Sequence, residues 1–500
     1  MADFANLRAL SAFVILVLAL LLHNSAPSTT PSLASTARSD GTARSPLLGV
    51  RILVISHDAS ASGAPRVCAE LAQSLAGLGA SVSLAVQGRA RVRRADREAL
   101  MSLLAPLTAD TAAFPVVGLT SRAVHDADVV VVSTAVAANS AWVTAGSTTS
   151  ADAPPFFSHS GIVSAVFDLA ALVTGASRST AAFMRPQARL VWLVHESGAV
   201  MRALGHSASE AALSAMSGPR SRVDRVVFVS NAAMSWWHEQ LRLRDATVSA
   251  QQQLVLHWGV PSWKLDHLLA PARIADARAR LRRQLGFGEA DFVFLVVGSF
   301  HPMKGHAGIV RAFLDAQASC QHHSAITRLR LVAVGGGLGA ADYFPCIFSE
   351  AAEIFALDDV RLLPSTSDVG AYFAVADAFV GNTQCEGETW GLATLEALAA
   401  GKPVLAAAVG GTLEQMQHNI TALLHPPTCV TFDEIGESGA GKKVAYSFGS
   451  VAAPGELAAH MCAVATDAAL AKRLGAAGSE HVRNALGQAQ IDAALVEAFS

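Results

Sequence analysis

Cys385-Glu386-Gly387-Glu388-Thr389-Trp390-Gly391-Leu392-Ala393-Thr394-Leu395-Glu396-Ala397-Leu398-Ala399-Ala400-Gly401-Lys402-Pro403 sets two carboxylates, Glu388 and Glu396, eight positions apart across a loop-to-helix junction. Residues 392–400 are strong helix formers, and Gly401 with Pro403 stops the helix. Glu396 is the only charged side chain inside it. A helix apolar nearly all round is a buried one, and Glu396 shares a face with Leu392 and Ala399. Burying that charge costs on the order of several kcal/mol unless something hydrogen-bonds it. A pair of ligand hydroxyls meets the need. Gly391 opens the helix, so its free N–H groups form an anion site about a turn and a half from the carboxylate. Phosphate at the helix start and a polyol on its flank describe a nucleotide sugar. Spacing alone leaves an alternative open, in which Glu396 pairs with a basic side chain and Glu388 is a solvated acid favoured by the helix dipole.

The text around this stretch repeats one pattern twice. Residues 50–56 (Val-Arg-Ile-Leu-Val-Ile-Ser) are a buried-strand run, followed by a loop at 57–66, a helix at 67–79 and a strand at 81–86. Further strands are expected at 129–132, 190–194 and 226–229. A second alternation begins at Asp291 with the strand run 291–298 and continues through 329–334, 360–363, 378–380 and 404–409. Continuous apolar runs belong to parallel sheets covered on both faces. The expected fold class is α/β, with two facing, Rossmann-like, doubly wound domains at 50–262 and 290–480, an Arg-rich linker at 263–289 and a C-terminal helix at 481–500. Two such sheets direct their carboxyl ends at one cleft, where ligands bind. Residues 137–161, rich in Ser, Thr, Ala and Pro, read as an insertion.

On these residues the chain resembles retaining glycosyltransferases of the GT-B fold, the family 4 or group 1 type that includes sucrose synthases and bacterial mannosyltransferases. The stretch 385–403 is similar to their E-x7-E element, and the resemblance covers most of the chain after Val50 except 137–161 and 427–456. It implies an enzyme of the hexosyltransferase class and a UDP- or GDP-sugar donor, with no cofactor and no metal. Glu388 is then expected to bind hydroxyls of the donor sugar and Glu396 the nucleotide ribose, while the amides around Trp390, Gly391 and Leu392 receive sugar and phosphate. The family's usual Gly-Phe-Gly is here Thr389-Trp390-Gly391, which keeps the aromatic residue and the last glycine.

Other positions fall in line with the resemblance. Gly63, in Ser60-Ala61-Ser62-Gly63-Ala64-Pro65-Arg66, lies in a loop that meets the donor diphosphate or the acceptor in the family; a plain βα turn also needs small residues there. His195 ends the strand Leu190-Val191-Trp192-Leu193-Val194, where a family histidine touches the donor sugar; a histidine serving only its own loop is the alternative. In Gly298-Ser299-Phe300-His301-Pro302-Met303-Lys304-Gly305, Lys304 is placed to meet the diphosphate and stabilise leaving-group charge. The family usually carries Arg where Ser299 stands, a departure that plant and algal relatives share and that motivates a second reading, a noncatalytic nucleotide-sugar or glycan-binding protein. Gly336, in Gly335-Gly336-Gly337, is expected against the nucleotide base. Trp258, in His257-Trp258-Gly259-Val260-Pro261, replaces the commoner Asn.

Two motifs mislead. Residues 436–443 spell G-x-x-x-x-G-K-K, but no strand precedes them and Lys443 replaces the Ser/Thr that would hold magnesium. Asp126-Ala127-Asp128 is a D-x-D, yet it precedes a strand, where polar residues simply mark the strand's start.

Five hundred residues allow two large cores at ~150 residues per domain. Charged residues are 15% and the mean hydropathy is +0.37, an apolar balance. The net charge of −3 leaves no basic stripe for nucleic acid. Residues 9–22 are lipid-like, too short for a full span of ~20 residues, and read within 1–23 as a signal-anchor or targeting segment. The stretch 24–49 reads as a disordered stem. This layout resembles Golgi glycosyltransferases held in the secretory membrane with a lumenal catalytic part; a cleaved signal peptide (a secreted protein) and a plastid-type transit peptide are the alternatives. Six scattered cysteines signal neither a zinc site nor a dense disulfide framework. One sequon, Asn419-Ile420-Thr421, accepts a glycan only if exposed in a lumen, and its expected place near the cleft argues against occupancy. The acceptor, a glycan, a lipid or a small molecule, is not legible, because first-domain loops choose it.

Overall fold

Apolar runs with no polar face to give to water end as interior strands, and both halves of this chain do so. The computed structural model describes residues 45–56, 63–86, 115–118, 121–134, 185, 187–195, 213, 217, 223–300, 302–320, 328–336, 358–366, 368–384, 388–427 and 455–499. The first domain contains β1 (Arg51–Ser56), α1 (Gly63–Gly77), β2 (Ser81–Val86), β3 (Val116–Gly118), α2 (Ser121–Asp126), β4 (Val129–Thr134), β5 (Arg189–Val194), β6 (Arg225–Phe228), α3 (Asn231–Arg242) and β7 (Gln253–Val255). Two helices follow, α4 (Ser262–Leu269) and α5 (Pro271–Leu285). The second domain contains β8 (Asp291–Val297), α6 (His306–Cys320), β9 (Arg328–Val334), β10 (Val360–Leu363), α7 (Val369–Val375), β11 (Ala378–Gly381), α8 (Leu392–Ala399), β12 (Val404–Ala407), α9 (Thr412–Gln415), β13 (Leu423–His425), α10 (Gly455–Thr466), α11 (Ala468–Ala485) and α12 (Gln488–Phe499).

The first sheet runs β3-β2-β1-β4-β5-β6-β7 and the second β10-β9-β8-β11-β12-β13, with every described pairing parallel. Each order grows one way from its first strand and then switches to the other side, so both halves repeat one doubly wound plan. The expected strands all form. Three short edge strands, β3, β7 and β13, carry too few residues for a pattern to show. The first helix begins at Gly63 rather than Val67, because Pro65 is tolerated in a first turn whose N–H groups have no intrahelical partner.

The two sheets are also sewn at their amino ends in the same way. Asp128, just before β4, accepts from the Arg51 backbone N–H at 3.0 Å and from the guanidinium groups of Arg51 and Arg185. Hydrogen bonds from Arg51 outweigh burial and hold its carboxyl at about 2. This occupation accounts for Asp128, the second acid of the D-x-D. In the second domain Asp377, just before β11, accepts from Val293 N–H at 2.8 Å, from Arg282 at 2.7 Å and from Arg278 at 3.0 Å. Arg282 is 1% exposed and also donates to the carbonyls of Gly288, Glu289 and Asp291. That fan of bonds pins α5 to the start of the second sheet.

The chain then crosses back. Val260 N–H donates to Leu486 O at 2.8 Å, and Arg225 Nη1 donates to the carbonyls of Glu497 and Ala498 at the end of α12. Cys320, at the end of α6, is disulfide-bonded to Cys462 in α10, with Cα atoms 5.8 Å apart. The segments 1–44, 137–161 and 436–443, which include the lipid-like run, most of the stem and the P-loop-like text, lie outside the described residues. Among the described residues no helix is long and apolar enough to cross a membrane.

Replacing Asp377 by Ala leaves Arg282 buried with its charge uncompensated, a loss of about 3 kcal/mol in the free energy of unfolding. Urea unfolding of the variant should show it, and Asp377→Asn, which keeps hydrogen-bond acceptors, should lose less.

Candidate functional site

Glu388 meets a cation at the carboxyl end of the second sheet. Lys304 closes a short 3-10 turn, Pro302–Lys304, directly after β8. Its Nζ donates to Glu388 Oε2 at 2.8 Å, and Thr383 Oγ1 donates to the same oxygen at 3.1 Å. Backbone placement explains the aim. Gly305 has φ +63, and a Cβ there would lie 2.1 Å from Asn382 O. With no side chain it lets the turn press against the loop after β11, where Gln384 N–H donates to Met303 O at 2.7 Å and Asn382 Nδ2 to Gly305 O at 3.1 Å. Ser299 lies exposed just beyond β8.

Glu396, 2% exposed in α8, meets two cations. Its Oε1 lies 2.8 Å from Arg66 Nη2 and 2.6 Å from Lys264 Nζ. The same two cations hold Glu70, a fully buried residue of α1: Arg66 Nε donates to Oε1 at 3.3 Å, Lys264 Nζ donates to Oε1, and Trp258 Nε1 donates to Oε2 at 2.8 Å. Burial pushes the Glu70 carboxyl up, but Lys264, Arg66 and the Trp258 bond outweigh it and hold it below the usual carboxylate range. The guanidinium of Arg66, disfavoured by burial, is held above its ordinary value by Glu396 and Glu70. The cluster joins the first domain (α1), the connecting helix α4 and the second domain (α8). So Glu396 does pair with basic side chains, as the alternative reading allowed. Both cations approach Oε1, and no hydrogen bond to Oε2 exists among the described residues.

Beside it the domains are buttoned together. Thr389 Oγ1 donates to the backbone O of His195 at 2.6 Å, which places the half-buried His195 at the end of β5 against the E-x7-E stretch. Trp390 Nε1 donates to Trp258 O at 2.6 Å, and its ring stacks on His257 at 4.7 Å with planes 2° apart. Gly410, at φ +48, and Gly411 bring the turn after β12 onto the backbone of Glu388 and Thr389, where a Cβ on either would sit 2.0 Å from a carbonyl oxygen. That turn delivers Glu414 to the start of α3. Glu414 accepts from Asn231 N–H at 2.9 Å, Ala232 N–H at 2.8 Å and Asn231 Nδ2 at 2.8 Å, and lies 2.9 Å from His257 Nε2. A carboxylate on a helix N-terminus is favoured by the helix dipole.

Gly391 is the N-cap of α8 and no side chain caps it, so the first N–H groups, beginning at half-buried Leu392, are without a side-chain acceptor from the cap residue. Gln415 Nε2 donates to Gly391 O at 3.2 Å and steadies the junction. Gly336 sits half-buried just beyond β9, against Ser365. Gly63 is the first residue of α1, on the helix that carries Arg66 and Glu70. The loop at 57–62 and residues 385–387 lie outside the described residues. Glu388 is thus paired with Lys304, Glu396 with Arg66 and Lys264, and the backbone of His195 with Thr389, while Trp390, Gly391 and Leu392 lie between the two carboxylates and Ser299, Gly63 and Gly336 lie at strand ends or helix starts.

Sequence reasoning missed Glu70, Lys264 and Glu414, and gave Arg66 no role. Glu70 carried the same signal as Glu396, being the only charge within the apolar run 67–79. Lys264 lies in polar-looking text whose burial depends on the domains meeting. Among the described residues no group of three or more His, Cys, Asp or Glu side chains could hold a metal ion.

Residues 277–434 match the profile of the family described as glycosyl transferases group 1 and form a domain of that kind. The chain is 35% identical over 152 residues to the D-inositol 3-phosphate glycosyltransferase of Salinispora arenicola, covering 30% of this chain and 33% of that one. To the protein of that name from Geodermatophilus obscurus it is 30% identical over 195 residues, 37% of this chain and 41% of the relative. The chain thus spans only about a third of the length of the relatives it matches. Among solved structures it resembles Anabaena HepE in complex with UDP and glucose, with a TM-score of 0.58, 17% identity, and coverage of 90% of this chain and 99% of that one. It also resembles sucrose-phosphate synthase from Thermosynechococcus elongatus, with a TM-score of 0.55, 19% identity, and coverage of 90% and 98%. These likenesses extend over both domains and agree with the GT-B arrangement.

Glu414 gives the site a pH signature. Burial pushes its carboxyl up, but His257 and the α3 N–H groups outweigh this and bring it from 4.5 down to about 2. A carboxylate depressed on folding contributes stability that is present above its unfolded value and lost as pH falls through its folded one. The melting temperature of wild type should therefore exceed that of Glu414→Gln above about pH 4.5, and the gap should shrink as pH falls toward about 2. Parallel thermal melts across that range would read it.

Proposed function

We propose that the chain is a retaining, metal-independent glycosyltransferase that moves a sugar from a UDP- or GDP-sugar to a glycan, lipid or small-molecule acceptor. The observation that carries this reading is Glu388, bound to Lys304, standing shortly before the start of α8, which has no side-chain cap and carries Glu396, inside the segment that matches glycosyl transferases group 1. Relatives named as glycosyltransferases and a fold neighbour in complex with UDP and glucose support a nucleotide-sugar donor.

In this reading Glu396 receives the ribose hydroxyls while Arg66 and Lys264 hold it in place at Oε1. The diphosphate lies at the N–H groups that begin at Leu392, close to Lys304, and the donor sugar takes its hydroxyl contacts from Glu388. Thr383 and Lys304 hold one oxygen of Glu388, so the carboxylate is orientated before the sugar arrives. As the glycosidic bond breaks, negative charge grows on the diphosphate, and the helix start and Lys304 stabilise it. The acceptor attacks from the face the diphosphate leaves, and a diphosphate oxygen takes the acceptor proton. No protein nucleophile is needed, and Glu388 and Glu396 bind rather than transfer protons.

A second reading, a noncatalytic nucleotide-sugar binder, is favoured by exposed Ser299 in place of the usual Arg. A screen of UDP- and GDP-sugars separates the two. Sugar transfer or slow donor hydrolysis supports the enzyme, binding without turnover by any acceptor supports the binder, and no shift in melting temperature with any nucleotide sinks both. Lys304→Ala should reduce kcat on the order of 10²-fold with a smaller change in donor KM, since its charge acts mainly on the leaving group.

A further inference from the structure

Two features of the second domain, both away from the cleft, point to the compartment in which it folds. We propose that Asn419 is an N-glycosylation site in a domain stapled by the Cys320–Cys462 disulfide, and that both bonds are made in an oxidising, lumenal compartment. The inference is independent of the transfer reading.

Asn419-Ile420-Thr421 is the only N-x-S/T sequon in the sequence. In a parallel sheet all amino ends lie on one side, and this turn runs directly into the amino end of β13, whereas the cleft is built at the carboxyl ends. The expectation that the sequon sits near the cleft is therefore corrected by topology. Asn419 is exposed at a turn tip with φ +61, a conformation asparagine tolerates better than most residues. The turn engages Asn419 through its backbone: Asn419 N–H donates to Ala422 O at 2.8 Å, and Arg473 Nη1 donates to Asn419 O at 2.8 Å. No hydrogen bond among the described residues engages the Asn419 carboxamide. Ile420 beside it is 55% exposed, an apolar side chain that a glycan would cover. Thr421 is buried, and its hydroxyl accepts from Gln417 N–H at 2.9 Å. The acceptor amide thus points to water while the hydroxyl tucks in after folding, as suits a sequon modified while the chain is still being delivered.

The disulfide is the second, independent observation. It joins α6 to α10, helices that pack together over one core, and persistent disulfides belong to oxidising compartments. The chemistry balances with lumenal reagents. Asn419 Nδ2 bonds to C1 of an oligosaccharide carried on a lipid diphosphate, which leaves as the lipid diphosphate while the amide gives up one proton. The two thiols give two electrons and two protons to a protein disulfide, which becomes a dithiol.

The test uses the full chain expressed in a eukaryotic cell. Peptide-N-glycosidase should shift the mobility of wild type and of Thr421→Ser, which keeps the sequon, and should not shift Asn419→Asp, a change the left-handed turn tolerates. Alkylation before reduction, followed by peptide mass analysis, should recover the 320 and 462 peptides as one linked species. Donor binding should be the same in Asn419→Asp as in wild type. An unshifted wild type, a shift that survives Asn419→Asp, or alkylated thiols at both cysteines overturns the proposal.

Discussion

Arg66, Glu70, Lys264 and Glu396 form a ring in which each cation touches both carboxylates. Taking each such ion out of water costs several kcal/mol, to order of magnitude, and only nearly complete pairing repays it. Here two cations face two carboxylates and the charges sum to zero. Because the four residues come from α1, α4 and α8, the ring exists only when both domains and the connecting helix are in place. The relative position of the two sheets is thus tied to an electrostatic condition, and the neighbouring contacts of Trp258, Trp390, His257 and Glu414 are arranged around it.

The ring also bears on how a ligand is received. Cations against one oxygen of a carboxylate fix its orientation before a ligand arrives. Arg66 and Lys264 both lie against one oxygen of Glu396. Glu388 is treated the same way by Lys304 and Thr383. Both carboxylates of the E-x7-E element are therefore prepared by cations from elsewhere in the chain: one from the turn after β8, two from outside the second domain.

Much of the fold was legible, for a local reason. Interior parallel strands are continuous apolar runs, so β1, β5, β8 and β9 announce themselves. The edge strands β3, β7 and β13 do not, since three residues carry no period and their pairing is decided by neighbours. The site was legible where one segment carries it: Glu388, Trp390, Gly391 and Glu396 lie within nine residues. Its partners were not, because Lys264 and Glu414 acquire meaning only when distant elements meet. Glu70 is the instructive omission, since a lone charge in an apolar helix asks for a partner wherever it occurs. Asp128 and Asp377 show the converse: read as strand-start polarity or passed over, they each take up an amide near the start of a central strand and the arginines beside it.

The central claim is that Glu396, held in place by the cations of its ring, is the seat of the ribose. Titration calorimetry of the purified protein with UDP and with its 2′,3′-dideoxy analogue, repeated with GDP and its analogue, tests it most directly. The account predicts that loss of the ribose hydroxyls weakens binding to wild type and makes no further difference in Glu396→Ala. Equal affinity of wild type for a nucleotide and its dideoxy analogue would contradict it.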